Sequence, residues 1–193
     1  MAVRPVVVKV GGSLYDLPDL GPRLCRWLTA HAPREVLLVP GGGPAADAIR
    51  TLDRTHNLGE EAAHWLALRA LSVNAALLAA LVPGACVIDG PDLAELVWEQ
   101  SRVPVLDAYA FCEADEADDT HLPHTWAVTS DSVAARAAVV CGAAELMLLK
   151  SAEPPPGDIA EWVAAGFVDG HLPLVLAGSN IRLRSVGFRM NCG

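Results

Sequence analysis

The sequence predicts an α/β sandwich with a mostly parallel central sheet, and three observations carry that expectation. Apolar runs of four to six residues alternate with longer stretches of helical periodicity, the pattern of successive βαβ units. Two of the runs, "PVVVKVGGSL" (Pro5 to Leu14) and "EVLLVPGGGPAAD" (Glu35 to Asp47), discharge directly into glycine-rich loops. The alternation continues to the end of the chain with no internal repeat and no domain linker. A length of 193 residues suits one domain, or two lobes sharing one sheet.

Taken in order, residues 4–10 read as a first strand and 19–31 as a helix with Leu20, Leu24, Trp27 and Leu28 on one face. A second strand over 35–40 leads to a helix over 43–54. A long helix over 59–81 precedes a strand at 85–89, a helix at 92–100 and a strand at 103–106. A helix over 129–140 has Ser130 as its expected N-cap and Gly142 just past its end. A strand at 145–150, a helix at 157–165 and a last strand at 180–186 complete the series. Two stretches are expected to be irregular loops over a site: the acidic "EADEADDTHLPH" (Glu113 to His124) and "SAEPPPGD" (Ser151 to Asp158).

Composition narrows the function. A net charge of −9 with no basic stripe argues against nucleic-acid binding. Five widely spaced cysteines (Cys25, Cys86, Cys112, Cys141, Cys192) form no CxxC or Cys/His ligand pattern. The expectation is reduced thiols in a cytoplasmic protein, with neither a disulfide framework nor a metal site. No charged and then apolar opening segment resembles a secretory signal. The most apolar stretch, residues 62–82, contains His64, Arg69 and Asn74 and reads as a buried helix in a soluble protein rather than a membrane span.

The glycine loops point to an anion. Glycines after a buried strand let backbone amides converge without Cβ interference, and a following helix N-terminus adds partial positive charge. The only two lysines, Lys9 and Lys150, both lie at the ends of apolar strands. A lysine there is costly to bury unless its ammonium reaches a site, and two point charges at one sheet edge suit a polyphosphate. No GxxxxGK[ST] loop occurs. Gly41-x-Gly43-x-x-Ala46 satisfies the GxGxxA dinucleotide pattern, so a nicotinamide enzyme stands as a competing reading. Against it, Glu60 and Glu61, about 20 residues on, open a helix instead of ending a strand.

Together "VVVKVGGSL", "VLLVPGGGPAAD", "VTSDSVAARAA" and "LLK" resemble the amino acid kinase superfamily along nearly the whole chain. "RTHNLGEEAAHWLALRAL" and "LPHTWAVTSDS" resemble its small branch of aminomethylfuran phosphate kinases in methanofuran biosynthesis. The resemblance implies an open three-layer αβα sandwich. Its acceptor half would span about residues 1–125 and its nucleotide half about 126–193. It implies ATP and Mg2+ as cofactors, a small-molecule phosphoryl acceptor and a homodimer.

By the same resemblance Lys9 bridges donor and acceptor phosphates, and Gly11, Gly12 and Ser13 surround the transferred group. Gly41, Gly42 and Gly43 line the acceptor side. Asp131 organises the catalytic lysines beside Ser130, and Lys150 contacts ATP phosphates. For the acceptor pocket we nominate His56, Glu61, His64, Trp65, His124 and Trp126, an aromatic, polar-tipped set suited to a flat ring. Arg54 and Arg69 are candidates for an acceptor phosphate, and Glu61 or an acid within 113–119 for a substrate amine. Three features depart from the family pattern. Ala127 replaces an acid, "SAEPPPGD" lacks an Asp-Gly turn, and the nucleotide half is short. The expected acceptor is a phosphorylated aminomethylfuran, with a carboxylate or a nucleoside monophosphate as the alternative and a non-catalytic nucleotide- or oxyanion-binding module as the non-enzymatic one.

Overall fold

The computed structural model describes residues 4–32 and 35–189; Cys192 lies outside them. Six parallel strands form one sheet: β1 (Val6–Val10), β2 (Val36–Pro40), β3 (Ala85–Ile88), β4 (Val103–Leu106), β5 (Glu145–Lys150) and β6 (Arg182–Gly187), in the order β3-β4-β2-β1-β5-β6. The helices are α1 (Leu20–His31), α2 (Gly43–His56), α3 (Glu60–Leu81), α4 (Ala94–Glu99), α5 (Ala108–Asp115), α6 (Ser130–Val140), α7 (Ile159–Ala164) and α8 (Leu172–Leu176).

The continuous apolar runs VVVKV and VLLVP form β1 and β2 because both sheet faces are covered. Alternation along β1 sends Val6, Val8 and Val10 into one core, with Leu20 and Leu24 of α1 and Ala75 and Leu78 of α3. Val7 enters the other core with Leu37, Leu146 and the alanines of α6, and Lys9 shares that face. Ala134, Ala135, Ala137 and Ala138 are fully buried, so the alanine-rich sequence of α6 serves close approach to β1 and β2. With β2 on one side of β1 and β5 on the other, strand order reverses at β1. Crevices at the carboxyl ends of strands form at such a switch point.

Several local expectations are corrected. Thr129, not Ser130, caps α6, accepting from the Asp131 amide through its hydroxyl. The helix expected over 92–100 divides into a 3-10 turn (Pro91–Leu93) and α4. Helix α7 begins only at Ile159, where Asp158 and Glu161 form a capping box. The acidic stretch opens with the last turn of α5, a helix capped by Asp107 that apolar periodicity does not reveal. The short α8 was likewise not expected. Helix α3 is long and apolar enough by composition to cross a membrane, yet it packs against α2, α5, β2 and β3.

Arg136 of α6 is buried and paired through two nitrogens with both oxygens of Asp115, each at 2.8 Å. Its third contact is Thr120 Oγ1 at 2.8 Å, which ties the loop after α5 to α6. Removing one partner of such a pair strands the other charge. Arg136→Ala is therefore expected to cost about 3 kcal/mol in urea unfolding. Asp118→Ala, at the exposed side of the same cluster, should cost far less. Equal losses would mean the buried pair is not what holds this loop.

Candidate active site

Three side chains from three elements meet above the ends of β1 and β5. Lys9 Nζ lies 2.9 Å from Asp131 Oδ1, and Lys150 Nζ lies 2.7 Å from Asp131 Oδ2. Lys150 also donates to the Phe167 carbonyl and stands 4.8 Å over that ring. Asp131 and Lys9 are only 4% and 6% exposed, so this charge is held away from solvent. Burial pushes the Asp131 carboxyl upward, but the two ammoniums outweigh it and keep it below the usual carboxylate range. Burial and the neighbouring Lys9 push Lys150 below the usual lysine range, only partly opposed by Asp131. Two ammoniums against one carboxylate leave an excess of one positive charge, which suits a multiply charged anion.

Asp131 sits in the first turn of α6, and the start of that helix is fastened by Asp169. Asp169 Oδ2 accepts from Thr129 N (3.0 Å), Thr129 Oγ1 (2.6 Å) and Ser132 N (3.2 Å). Its Oδ1 accepts from Ser132 Oγ (2.5 Å), His171 N (3.0 Å) and Leu172 N (2.9 Å). One carboxylate thus joins the N-termini of α6 and α8 and fixes the direction in which Asp131 projects.

The two glycine loops are in backbone contact. A Cβ on Gly12 would stand 2.1 Å from Gly43 N, and one on Gly41 would stand 2.4 Å from Gly12 N. Glycine is thus required by close approach. The Gly11 amide donates to Leu149 O and the Gly41 amide to Val10 O, both at 2.8 Å. These two amides are committed to the sheet ends, contrary to the expectation that Gly11 serves an anion. The Gly12, Gly42 and Gly43 amides have no acceptor among the described residues. Asn74 Nδ2 holds the second loop through Gly41 O (2.8 Å) and Gly42 O (2.7 Å), and Tyr15 Oη braces Gly41 from the other side.

Two depressions adjoin Lys9. One, of about 230 Å³, is lined by Lys9, Gly12, Ser13, Gly42 and Gly43 on one wall, with His64, Trp126 and Ser130 elsewhere and Asp47 and Arg50 also lining it. The other, of about 250 Å³, is lined by Lys9, Gly11, Gly12, Ser13, Lys150, Ser151 and Phe167. Lys9, Gly12 and Ser13 belong to both, so the ammonium of Lys9 stands where the two spaces join. Ser13 Oγ donates to Ser151 Oγ at 3.1 Å on the second side.

The nominated pocket residues divide. Trp126 lines the first cavity, its indole donating to Asp53 Oδ2 (2.8 Å) and its ring lying 4.9 Å from the Arg50 guanidinium. His64 also lines it, and burial pushes its pKa down. Glu61, Trp65 and His124 form an adjoining cluster: Glu61 accepts from Trp65 Nε1 and pairs with His124 Nδ1, each at 2.7 Å. His56 is exposed at the end of α2 and does not line the cavity. Arg54 is exposed, Arg69 covers the Tyr109 ring at 3.7 Å, and Ala127 is exposed outside the cavity. The arginine and acid that do line it are Arg50 and Asp47, 2.8 Å apart. Sequence reading passed over both because an exposed i, i+3 pair looks like an ordinary helix surface. Asn74 carried a signal, a lone amide in an apolar helix; Asp169 carried only its place before a helix start.

A model of the amino acid kinase family matches residues 4–153. The chain belongs to the amino acid kinase family. It is 27% identical over 128 residues to (5-(aminomethyl)furan-3-yl)methyl phosphate kinase of Methanocaldococcus jannaschii, across 66% of this chain and 56% of that protein. The chain thus spans little more than half the length of this curated relative. Its fold is that of the uridylate kinase of Archaeoglobus fulgidus (TM-score 0.69, 20% identity, 94% of this chain and 90% of the other). It is also that of the UMP kinases of Ureaplasma parvum (0.65, 14%, 94% and 88%) and Bacillus anthracis (0.70, 11%, 98% and 89%). This membership removes the dinucleotide reading: the GxGxxA pattern follows β2, and its first glycine amide is spent on β1.

Asp169→Ala leaves amides and hydroxyls at two helix starts without their acceptor. The expected loss is about 3 kcal/mol in denaturant unfolding. Asp158→Ala, which removes the exposed cap of α7, should cost much less. If the two variants unfold alike, Asp169 is an ordinary cap and does not anchor the site.

Proposed function

We propose that this chain is an ATP-dependent phosphotransferase acting on a small acceptor that already carries a phosphate, with an aminomethylfuran phosphate as the preferred one. The observation that supports it is the junction of two cavities at Lys9, beneath free glycine amides and beside a second buried lysine. In this reading ATP phosphates occupy the depression beside Lys150, Gly12 and Ser13. The acceptor occupies the cavity lined by Gly42, Gly43, Asp47, Arg50, His64 and Trp126. Residues up to about 125 then supply the acceptor half and those beyond it the nucleotide half.

An acceptor phosphate oxygen attacks the γ-phosphorus, the bond to the β–γ bridging oxygen breaks, and ADP and a diphosphate result. That oxygen is already an anion, so no strong general base is needed, and alignment with charge stabilisation suffices. Lys9 spans donor and acceptor phosphates, Lys150 meets the leaving charge, and Asp131 positions both ammoniums. Asp131 has each oxygen on a lysine, which supports Mg2+ entering on the nucleotide phosphates and neutralising their charge there. Asp47 offers a carboxylate for an acceptor amine and Arg50 a cation for its phosphate. Kinase names on both the curated relative and the solved structures support phosphoryl transfer. The cavity's modest size favours a small ring over a whole nucleotide. A cytoplasmic homodimer completes the proposal.

Phosphorus-31 NMR with MgATP and a panel of phosphorylated acceptors, the aminomethylfuran compound included, tests it. A diphosphate signal is expected with wild type and none with Lys9→Ala. Binding of MgATP with no turnover on any acceptor would overturn the reading in favour of a non-catalytic nucleotide-binding relative.

The pH profile adds a second expectation. Lys150 acts as a cation, and its lowered pKa means that the charge is lost at lower pH than for a free lysine. The rate should therefore fall on an alkaline limb below the usual lysine range. Lys150→Arg, charged throughout, should remove that limb whatever its effect on the maximum rate. A limb unchanged in Lys150→Arg would assign it to another group.

A further inference from the structure

We infer that Glu116, His121 and His124 form a binding site for one divalent transition-metal ion of the zinc class, at the turn that closes the acceptor cavity. No Cys/His spacing in the sequence announces it, and it is separate from any magnesium carried by a nucleotide. One ligand atom from each residue lies within 4.8 Å of the other two. Glu116 Oε1 is 3.3 Å from His121 Nδ1 and 2.9 Å from His124 Nε2. Two ligands of a tetrahedral zinc ion, each about 2.1 Å from it, stand about 3.4 Å apart, so the two pairs that Glu116 makes are near ligand spacing, and His121, whose Nδ1 also faces Leu122 O at 3.2 Å, has only to swing toward His124.

The surroundings of His124 are the second observation. Its Nδ1 faces Glu61 Oε2 at 2.7 Å while its Nε2 faces Glu116 at 2.9 Å. With a carboxylate against each nitrogen, the ring is held in place and its Nε2 is turned toward Glu116, where a metal ion can stand between the two atoms. Glu61 then plays the part of the outer carboxylate that fixes a ligating imidazole through its other nitrogen. Trp65 holds Glu61 at 2.7 Å, and His64 stacks on His124 at 4.9 Å, so the ring's orientation is set before any ion arrives. His121 is exposed, so the site is open to solvent and leaves room for a water as fourth ligand.

The consequence lies one and two residues on. Thr125 and Trp126 follow His124 directly and line the cavity of Gly42, Gly43 and His64. An ion bound to His124 fixes the turn that carries them and so firms one wall of that cavity; its bearing on the acceptor rests on the function proposed above.

The test is calorimetric titration of Zn2+ into the full chain, freed of metal, with Co2+ as spectroscopic probe. Wild type is expected to bind one Zn2+ saturably, to gain thermal midpoint with it, and to give a visible Co2+ band of tetrahedral type. His121→Ala and Glu116→Gln, both at the surface, should each weaken binding at least tenfold while keeping the metal-free midpoint. Glu61→Gln should weaken it by about 10- to 100-fold. No saturable Zn2+ binding by wild type would overturn the assignment, as would binding undiminished in His121→Ala and Glu116→Gln. None of these readouts needs turnover, so a failed kinase assay and a failed metal site are told apart.

Discussion

A single buried carboxylate shared by two ammoniums is the interaction on which the rest of this structure depends. Asp131 receives Lys9 on one oxygen and Lys150 on the other, and all three are largely withdrawn from water. Neither lysine would be stable at its strand end without that carboxylate, because an isolated buried ammonium is strongly penalised. The pairing nevertheless leaves one positive charge uncompensated. The fold thus holds an excess positive charge that suits a multiply charged anion.

Everything near this triad is rigid for an identifiable reason. The sheet sets the two lysines in register, Lys9 opposite Leu148 with Lys150 two residues further along β5. The fully buried alanines of α6 let that helix sit close over β1, and Asp169 fixes where it starts. Beside the triad Gly12 and Gly43 touch backbone to backbone, and Asn74 clamps the second glycine loop through Gly41 O and Gly42 O. Free amides, cations and cavity therefore hold fixed positions before any ligand binds, the condition under which electrostatic stabilisation of a phosphoryl group is most effective.

Much of the fold was legible because its strands are continuous apolar runs between glycine or polar breaks, a pattern that only a sheet covered on both faces produces. Lys9 and Lys150 stood out as the only lysines, each within such a run. The roles of Asp169 and Tyr15 were not legible, and Asn74 showed only as a lone amide in an apolar helix, because their partners lie 26 to 40 residues away in sequence. Nor does sequence separate Gly12 from Gly11: both follow β1, but the ladder continues one residue past the strand and consumes the Gly11 amide. His56 shares a motif with pocket residues, yet it lies on the last turn of α2, exposed to solvent. Helix α5 escaped notice because it is only eight residues long, with one turn of buried apolar residues (Ala108, Phe111, Cys112) before it runs into the acidic stretch.

The most direct test of the account is a calorimetric titration of MgATP into wild type, Lys9→Met and Lys150→Met, with folding of each checked by circular dichroism. Wild type is expected to bind, and each methionine variant, still folded, to bind at least tenfold more weakly, because either change removes a charge that would face the phosphates. Unchanged affinity in both variants would show that the paired lysines only hold Asp131 and α6 in place and do not bind the nucleotide.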